Sequence, residues 1–261
     1  MTTRLRWDDL PASVRARVAG ALGAEVVATR PCRGGFSAST AELVTTSDGA
    51  KAFVKAVRPT DGGDSFANNE REAATLAALP GDVPAAALRD VFREGEWLVL
   101  VIEAAPGEMP AQPWRPAQLD RVVATLGELA AAATPCPVPD LAGTEQVLGP
   151  DLQGFARLAA APPPGLDAWV AGRLPELVEA SERGIAALAG DTLVHTDLRA
   201  DNMLLAEDGT VTLVDWAHAS CGSALTDRLQ LLLSILDPDG VLRINARIDA
   251  LLHLLRERWA D

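Results

Sequence analysis

The sequence predicts an α+β protein of two lobes, with a small antiparallel sheet carrying one helix over residues 1–103 and a larger, mainly helical part over residues 104–261. Three observations carry this reading. At 261 residues the chain can bury far more core than a minimal domain needs. Its first hundred residues alternate β-type runs with hairpin signals, interrupted once by a helical segment. After Glu103 the composition shifts to a connector rich in Pro and Gly, followed by long Ala- and Leu-rich runs.

Taken in order, Asp9-Leu10-Pro11 reads as an N-cap and early proline opening a helix that runs to about Leu22. β-type runs at residues 25–29, 40–46 and 51–57 come next, the last two joined by the turn Ser47-Asp48-Gly49. Asp64 and Ser65 offer caps for a helix through Leu79, where Phe66, Ala73, Leu76 and Leu79 share a face and Pro80-Gly81 ends the run. Residues 88–92 and 97–102 flank Arg93-Glu94-Gly95-Glu96 as a second hairpin. Beyond the connector, residues 118–133 and 174–188 read as helices, with irregular Pro-bearing loops at 135–139 and 162–164. Short strands are expected at 193–194, 203–205 and 211–214, the last two joined by Asp208-Gly209, before closing helices at 225–236 and 241–259.

Charge excludes whole classes of function. There are 23 basic against 36 acidic residues, a formal net charge of −13, so binding to nucleic acid through phosphate neutralisation is not expected. Fourteen acids face twelve bases up to Glu103, and 22 face 11 after it, so the second lobe holds nearly all the excess. That acidity serves solubility or steers a cationic partner. Cys32, Cys136 and Cys221 form no C-x-x-C pair, which points to a reducing compartment and away from a disulfide scaffold. Neither a signal-like apolar stretch at the start nor an apolar run of about 20 residues is present. A cytoplasmic protein that does not engage a membrane is the expectation.

Only Lys51 and Lys55 are lysines among the 23 basic residues, which singles both out. The most informative stretch is LVHTDLRADNMLLAEDGTVTLVDWAHAS, residues 193–220. It sets His195, Asp197 and Asn202 on a loop after a strand, then a hairpin, then Asp215 at the end of another strand. The D-x-x-x-x-N spacing followed by a hairpin and an Asp resembles the catalytic loop and metal-binding Asp of the protein-kinase superfamily. Trp216-Ala217-His218 in place of Phe-Gly makes the closer resemblance that to aminoglycoside phosphotransferases and related small-molecule kinases. The resemblance extends in order over most of the chain and implies a two-lobed protein-kinase-like fold.

What the resemblance implies is residue by residue. Asp197 would take a hydrogen bond and later the proton from an acceptor hydroxyl. Asn202 and Asp215 would supply hard oxygen ligands to Mg²⁺. Lys55, in Ala52-Phe53-Val54-Lys55, would bind nucleotide phosphate and be held by Glu72, with Glu70 as a rival. Arg199 would stabilise transition-state charge or pair with Asp201. Gly34, Gly35 and Ser37 would bring backbone N–H groups and a hydroxyl to phosphates. The backbone of Glu103, Ala104 and Ala105 would hold the adenine of ATP, with Phe53 crowding the base. His195 and Asp227 read as braces of the loop, while Trp216 and His218 are either core or acceptor wall. Asp167, Glu176, Glu179 and Glu182 are candidate carboxylates for a cationic acceptor or simply a solvated face. The implied activity is ATP-dependent transfer to a hydroxyl of a small molecule: an aminoglycoside or other antibiotic, or a metabolite such as choline, homoserine or a sugar. A nucleotide binder without turnover is the other reading, and a monomer or homodimer is expected.

Overall fold

The structure is a computed structural model that describes residues 5–32, 39–61 and 63–235. The expected helix at 241–259 and the loop residues Gly34, Gly35 and Ser37 lie outside the described residues. Strands Val26–Pro31 (β1), Thr40–Thr46 (β2), Lys51–Val57 (β3), Leu88–Glu94 (β4) and Trp97–Glu103 (β5) form one antiparallel sheet in the order β1-β2-β3-β5-β4. The hairpin between β2 and β3 closes through Gly49 at φ 86°, a conformation open to glycine without a Cβ clash.

The two central strands are apolar on both faces, and each face has its own core. Ala52, Val54 and Ala56 of β3, with Val99 and Val101 of β5, pack beneath helix Ala12–Leu22 (α1) through Val14 and Val18. The alternate residues Val57, Leu98, Leu100 and Ile102 face helix Ser65–Ala78 (α2) and join a core continuous with the second half of the chain. The period of two along each strand produces this division. It also leaves Phe53 and Lys55 of β3 on the face that borders the cleft.

The helical part begins with Pro116–Ala132 (α3), whose Val122, Leu126 and Leu129 enter the shared core. Thr144–Leu152 (α4), Gly154–Ala160 (α5) and Ala168–Ala186 (α6) follow. The first two were not expected, and α6 starts six residues earlier than its apolar pattern suggests, with Pro175 inside it. Asp167 caps α6 by accepting from the N–H groups of Trp169 and Val170. Two short antiparallel pairs build the loop region: Thr192–Val194 (β6) with Ser220–Gly222 (β9), and Met203–Leu205 (β7) with Val211–Leu213 (β8). Strand β9 was also unexpected. Helix Thr226–Ile235 (α7) closes the described chain, and none of the described helices is long and apolar enough to cross a membrane.

Two local expectations are corrected. Asp9 does not cap α1, whose N-cap is Pro11; its carboxylate accepts from the Arg6 N–H and closes the preceding turn. Asp64 sits at the N-cap of α2 without a side-chain cap hydrogen bond.

The connector is pinned to β7. Glu108 and Leu205 exchange both backbone hydrogen bonds, at 3.1 and 2.8 Å. Gly107 has φ 102° and its missing Cβ would collide with the Leu205 carbonyl group. Gly107→Ala is therefore expected to cost about 2–4 kcal/mol through left-handed strain and overpacking, read as a lower denaturation midpoint. An unchanged midpoint would show that this contact is not held as described.

Candidate active site

A cleft of about 1330 Å³ separates the sheet from the helical part and gathers residues from positions 30 to 218. Its upper wall carries Lys55 in the middle of β3, where the register sets it opposite Ala41 of β2 and Leu100 of β5. Lys55 Nζ donates to Glu72 Oε2 at 2.6 Å and to Asp215 Oδ1 at 2.9 Å. Glu72 lies on the face of α2 turned to the sheet, with Lys55 9% and Glu72 1% exposed. Glu70, on the opposite face, pairs with Arg93 at the surface. Spacing on one helix face thus decides between the two glutamates.

Electrostatics follow from this bridge. Burial alone would lower the Lys55 ammonium, but Glu72 and Asp215 outweigh it and hold it above the usual lysine value. Burial raises the Glu72 carboxyl, against the pull of Lys55. Burial would raise Asp215 too, yet the Lys55 charge prevails and holds it below the usual carboxylate range. Lys55 therefore carries its charge throughout the neutral range.

The lower wall is the loop after β6. Asn202 Nδ2 donates to the Asp197 carbonyl at 2.8 Å and to Asp197 Oδ2 at 3.0 Å. Arg199 Nη1 reaches both Asp197 oxygens at 3.1 to 3.2 Å, while its Nε and Nη2 hold Asp201 side-on at 2.8 and 2.9 Å. The Arg199–Asp201 pair is thus not a surface ion pair, because Arg199 is only 9% exposed, and Arg199 meets both carboxylates at once.

Behind the loop, His195 is fully buried. Its Nε2 donates to the Val214 carbonyl at 2.9 Å, its Nδ1 accepts from the Asp197 N–H at 3.4 Å, and its ring lies 4.8 Å from that of Trp216. A histidine engaged at both nitrogens braces the loop and leaves no nitrogen for proton transfer. Asp227 accepts from the N–H groups of His195 and Thr196 at 2.8 and 2.9 Å. Thr196 and Asp215 both take left-handed backbone, at φ 66° and 67°, a costly state that persists only where surroundings impose it. For Thr196 those surroundings are Asp227, the Ser220 hydroxyl at 2.6 Å and Gln230, which donates to its carbonyl.

Other expected residues sort cleanly. Glu103, Ala104 and Ala105 line the inner end of the cleft, and the Glu103 N–H is engaged by the Ala87 carbonyl. Phe53 stands beside them, its ring 5.9 Å from Lys55 Nζ. Trp216 is 1% exposed and donates to the Leu213 carbonyl, so it packs; His218 is exposed at the cleft edge. Glu176 and Glu179 pair with Arg173 and Arg183 along α6, a solvated face away from the cleft. One contact that sequence reasoning missed is Arg71, whose Nε donates to the Ala217 carbonyl at 3.3 Å and ties α2 to the turn after Asp215. Nothing in the sequence pairs those two positions.

The residues fit a divalent cation by the chemistry of their donors. Asn202 spends its amide nitrogen on Asp197, which leaves its carbonyl oxygen free to ligate, and Asp215 has one oxygen beyond the one on Lys55. Lys55 balances one of Glu72 and Asp215, and Arg199 one of Asp197 and Asp201, so the six groups leave two negative charges over. Among the described residues no cluster of three or more His, Cys, Asp or Glu could hold a metal alone. Mg²⁺ suits such a site, since it keeps several waters and takes remaining ligands from phosphate.

The sequence pattern of the phosphotransferase enzyme family matches residues 28–260. The chain belongs to this family. The structure resembles a thermostable mutant of aminoglycoside phosphotransferase APH(4)-Ia in ternary complex with ADP and hygromycin B, with a TM-score of 0.59 at 15% identity over 96% of this chain and 84% of that one. Choline kinase LicA from Streptococcus pneumoniae gives 0.57 at 16% identity, over 92% of this chain and 78% of that one. A fructosamine-3-kinase homologue from Thermobifida fusca YX-ER1, itself described as putative, gives 0.57 at 22% identity, over 90% and 84%. No curated protein sequence matches the chain significantly. The chain shares the two-lobed fold of these kinases.

Proposed function

We propose that this phosphotransferase moves the γ-phosphate of ATP to a hydroxyl of a small molecule, with Mg²⁺ as its cation. The observation that carries the reading is the buried bridge from Lys55 to Glu72 and Asp215, facing Asp197 and Asn202 across one cleft. Residues 1–103 would bind nucleotide and residues 104–261 would supply the catalytic loop, the metal ligands and the acceptor site.

Phosphoryl transfer asks a protein for placement and charge compensation more than for covalent chemistry. The backbone of Ala104 and Ala105 would receive the base, with Phe53 as its wall and Gly34, Gly35 and Ser37 covering the phosphates. Lys55, fixed at both sides by carboxylates, would place its charge on the phosphate chain without having to reorganise. Asn202 and Asp215 would hold the cation, which supplies neutralisation of the charge spread over the transferring group. Asp197, anchored by Asn202 and Arg199, would accept the acceptor's O–H hydrogen bond and take the proton late. Arg199 would offset negative charge beside it.

The acid excess after Glu103 supports a cationic acceptor. The test is a coupled ADP-release assay with ATP and Mg²⁺ over aminoglycosides, other antibiotics, choline, homoserine and sugars. Release that depends on one class of compound identifies the acceptor. Nucleotide binding with no release across the panel would favour a binder without turnover.

A further inference from the structure

Next to the bridge stands a polar side chain whose hydrogen bonding is incomplete. Asn69 lies one turn before Glu72 on α2, so both point to the same side. It is 3% exposed and lines the cleft. Its Oδ1 accepts from the Ser39 hydroxyl at 3.4 Å. Its Nδ2 is buried and has no hydrogen-bond partner. A buried donor left without an acceptor is costly, so a group of this kind in a ligand cleft asks for an acceptor from the ligand.

Register says which part of a ligand can reach it. Along β3, Ala52 lies opposite Glu103 at the inner end of the cleft, Lys55 lies three residues further on, and Ala56 lies opposite Thr40. Ser39 and its partner Asn69 therefore stand beyond Lys55 as seen from Ala104 and Ala105. A nucleotide with its base at that inner end and its phosphates at Lys55 extends its last phosphate toward Asn69. Glu72, one turn further along the helix, is occupied by Lys55 and does not repel an anion as a free charge would.

We propose that the Asn69 side-chain amide donates a hydrogen bond to an oxygen of the terminal phosphate of bound ATP, so that this residue distinguishes triphosphate from diphosphate. The assignment rests on the nucleotide reading above. Ser39 is the positioning residue, since its hydroxyl holds the amide oxygen.

Calorimetric titration of Mg²⁺-ATP and Mg²⁺-ADP into the wild-type protein and the Asn69→Asp, Asn69→Leu and Ser39→Ala variants tests it, with thermal melts to verify folding. Asn69→Asp keeps the shape and replaces the donor with an acid; its Kd for ATP is expected to rise about tenfold or more, and that for ADP to stay within about twofold. Asn69→Leu should raise the ATP value about fivefold, and Ser39→Ala about threefold by freeing the amide to turn. If Asn69→Asp fails to fold, the other two variants decide. Equal losses for ATP and ADP would mean a structural role, and no loss would mean no contact; either overturns the assignment. A wild-type protein that binds neither nucleotide overturns the nucleotide reading, and the assignment with it. A wild type that binds both while the variants match it overturns the assignment alone.

Discussion

Asp197→Ala is expected to lower kcat by about 10³–10⁴ while the Kd for ATP changes less than about threefold. The separation follows from what the carboxylate touches. Its partners are Asn202 and Arg199, both on the same loop, and it has no contact with Lys55 or Glu72. After truncation Arg199 still holds Asp201 through two nitrogens, and His195 still donates to the Val214 carbonyl, so the loop keeps its course. On the proposed mechanism, what is lost is the acceptor for the hydroxyl proton. A positioned general base contributes about 10²–10⁴-fold, and the upper part of that range applies because the same carboxylate also orients the attacking oxygen. Asp197→Asn keeps the shape but not the base and should be nearly as slow. The measurement is ADP release under saturating ATP with any acceptor found active, beside a titration of ATP into each variant. A variant that keeps more than about a tenth of the wild-type rate would remove Asp197 from the reaction.

The residues that the resemblance singles out in the sequence are also the ones that the structure gathers in one cleft. Asp197, Asn202 and Asp215 follow from one loop and one hairpin, and Lys55 from a strand of apolar alternation in a chain nearly without lysine. Strands β2 and β3 fall where period and turn residues place them, because Asp48-Gly49 has only one comfortable use. What was missed has a physical reason in each case. Helices α4 and α5 are short and carry Gly149, Pro150 and Gly154, residues that locally argue against helix, and they form because α6 covers them. Strand β9 is Ser220-Cys221-Gly222, with no strand-forming side chain but a place opposite Leu193 that β6 offers. Helix α6 begins before its apolar pattern does, because Asp167 caps its first turn. Arg71 on Ala217, Ser39 on Asn69 and Gln230 on Thr196 are contacts between distant segments, written in no local pattern. Thr196 is the extreme case: a β-branched residue is among the least suited to left-handed backbone, so sequence alone argues against its conformation.

That conformation sets the second large effect: Asp227→Ala is expected to destabilise the protein by about 3–5 kcal/mol. Asp227 is 3% exposed, and its two oxygens take the N–H groups of His195 and Thr196. Truncation leaves both donors buried and unpaired, at about 1–3 kcal/mol each, and opens space beneath a backbone already strained at Thr196. Water could reach one of them, which is why the upper end of the range stays below the sum of two full penalties. For a chain of this size the melting temperature should fall by about 10 °C. Asp227→Asn separates the two N–H groups: its amide offers a single oxygen, so one donor stays satisfied and the other meets a second donor, and about half the loss is expected. Activity should fall further than stability alone explains, since His195 and Thr196 set the direction from which Asp197 enters the cleft. Thermal melts of the three proteins, with rates taken well below the lowest transition, test both statements. If Asp227→Ala melts within about 2 °C of the wild type, the loop is held chiefly by Ser220 and Gln230, and the strain at Thr196 is balanced there instead.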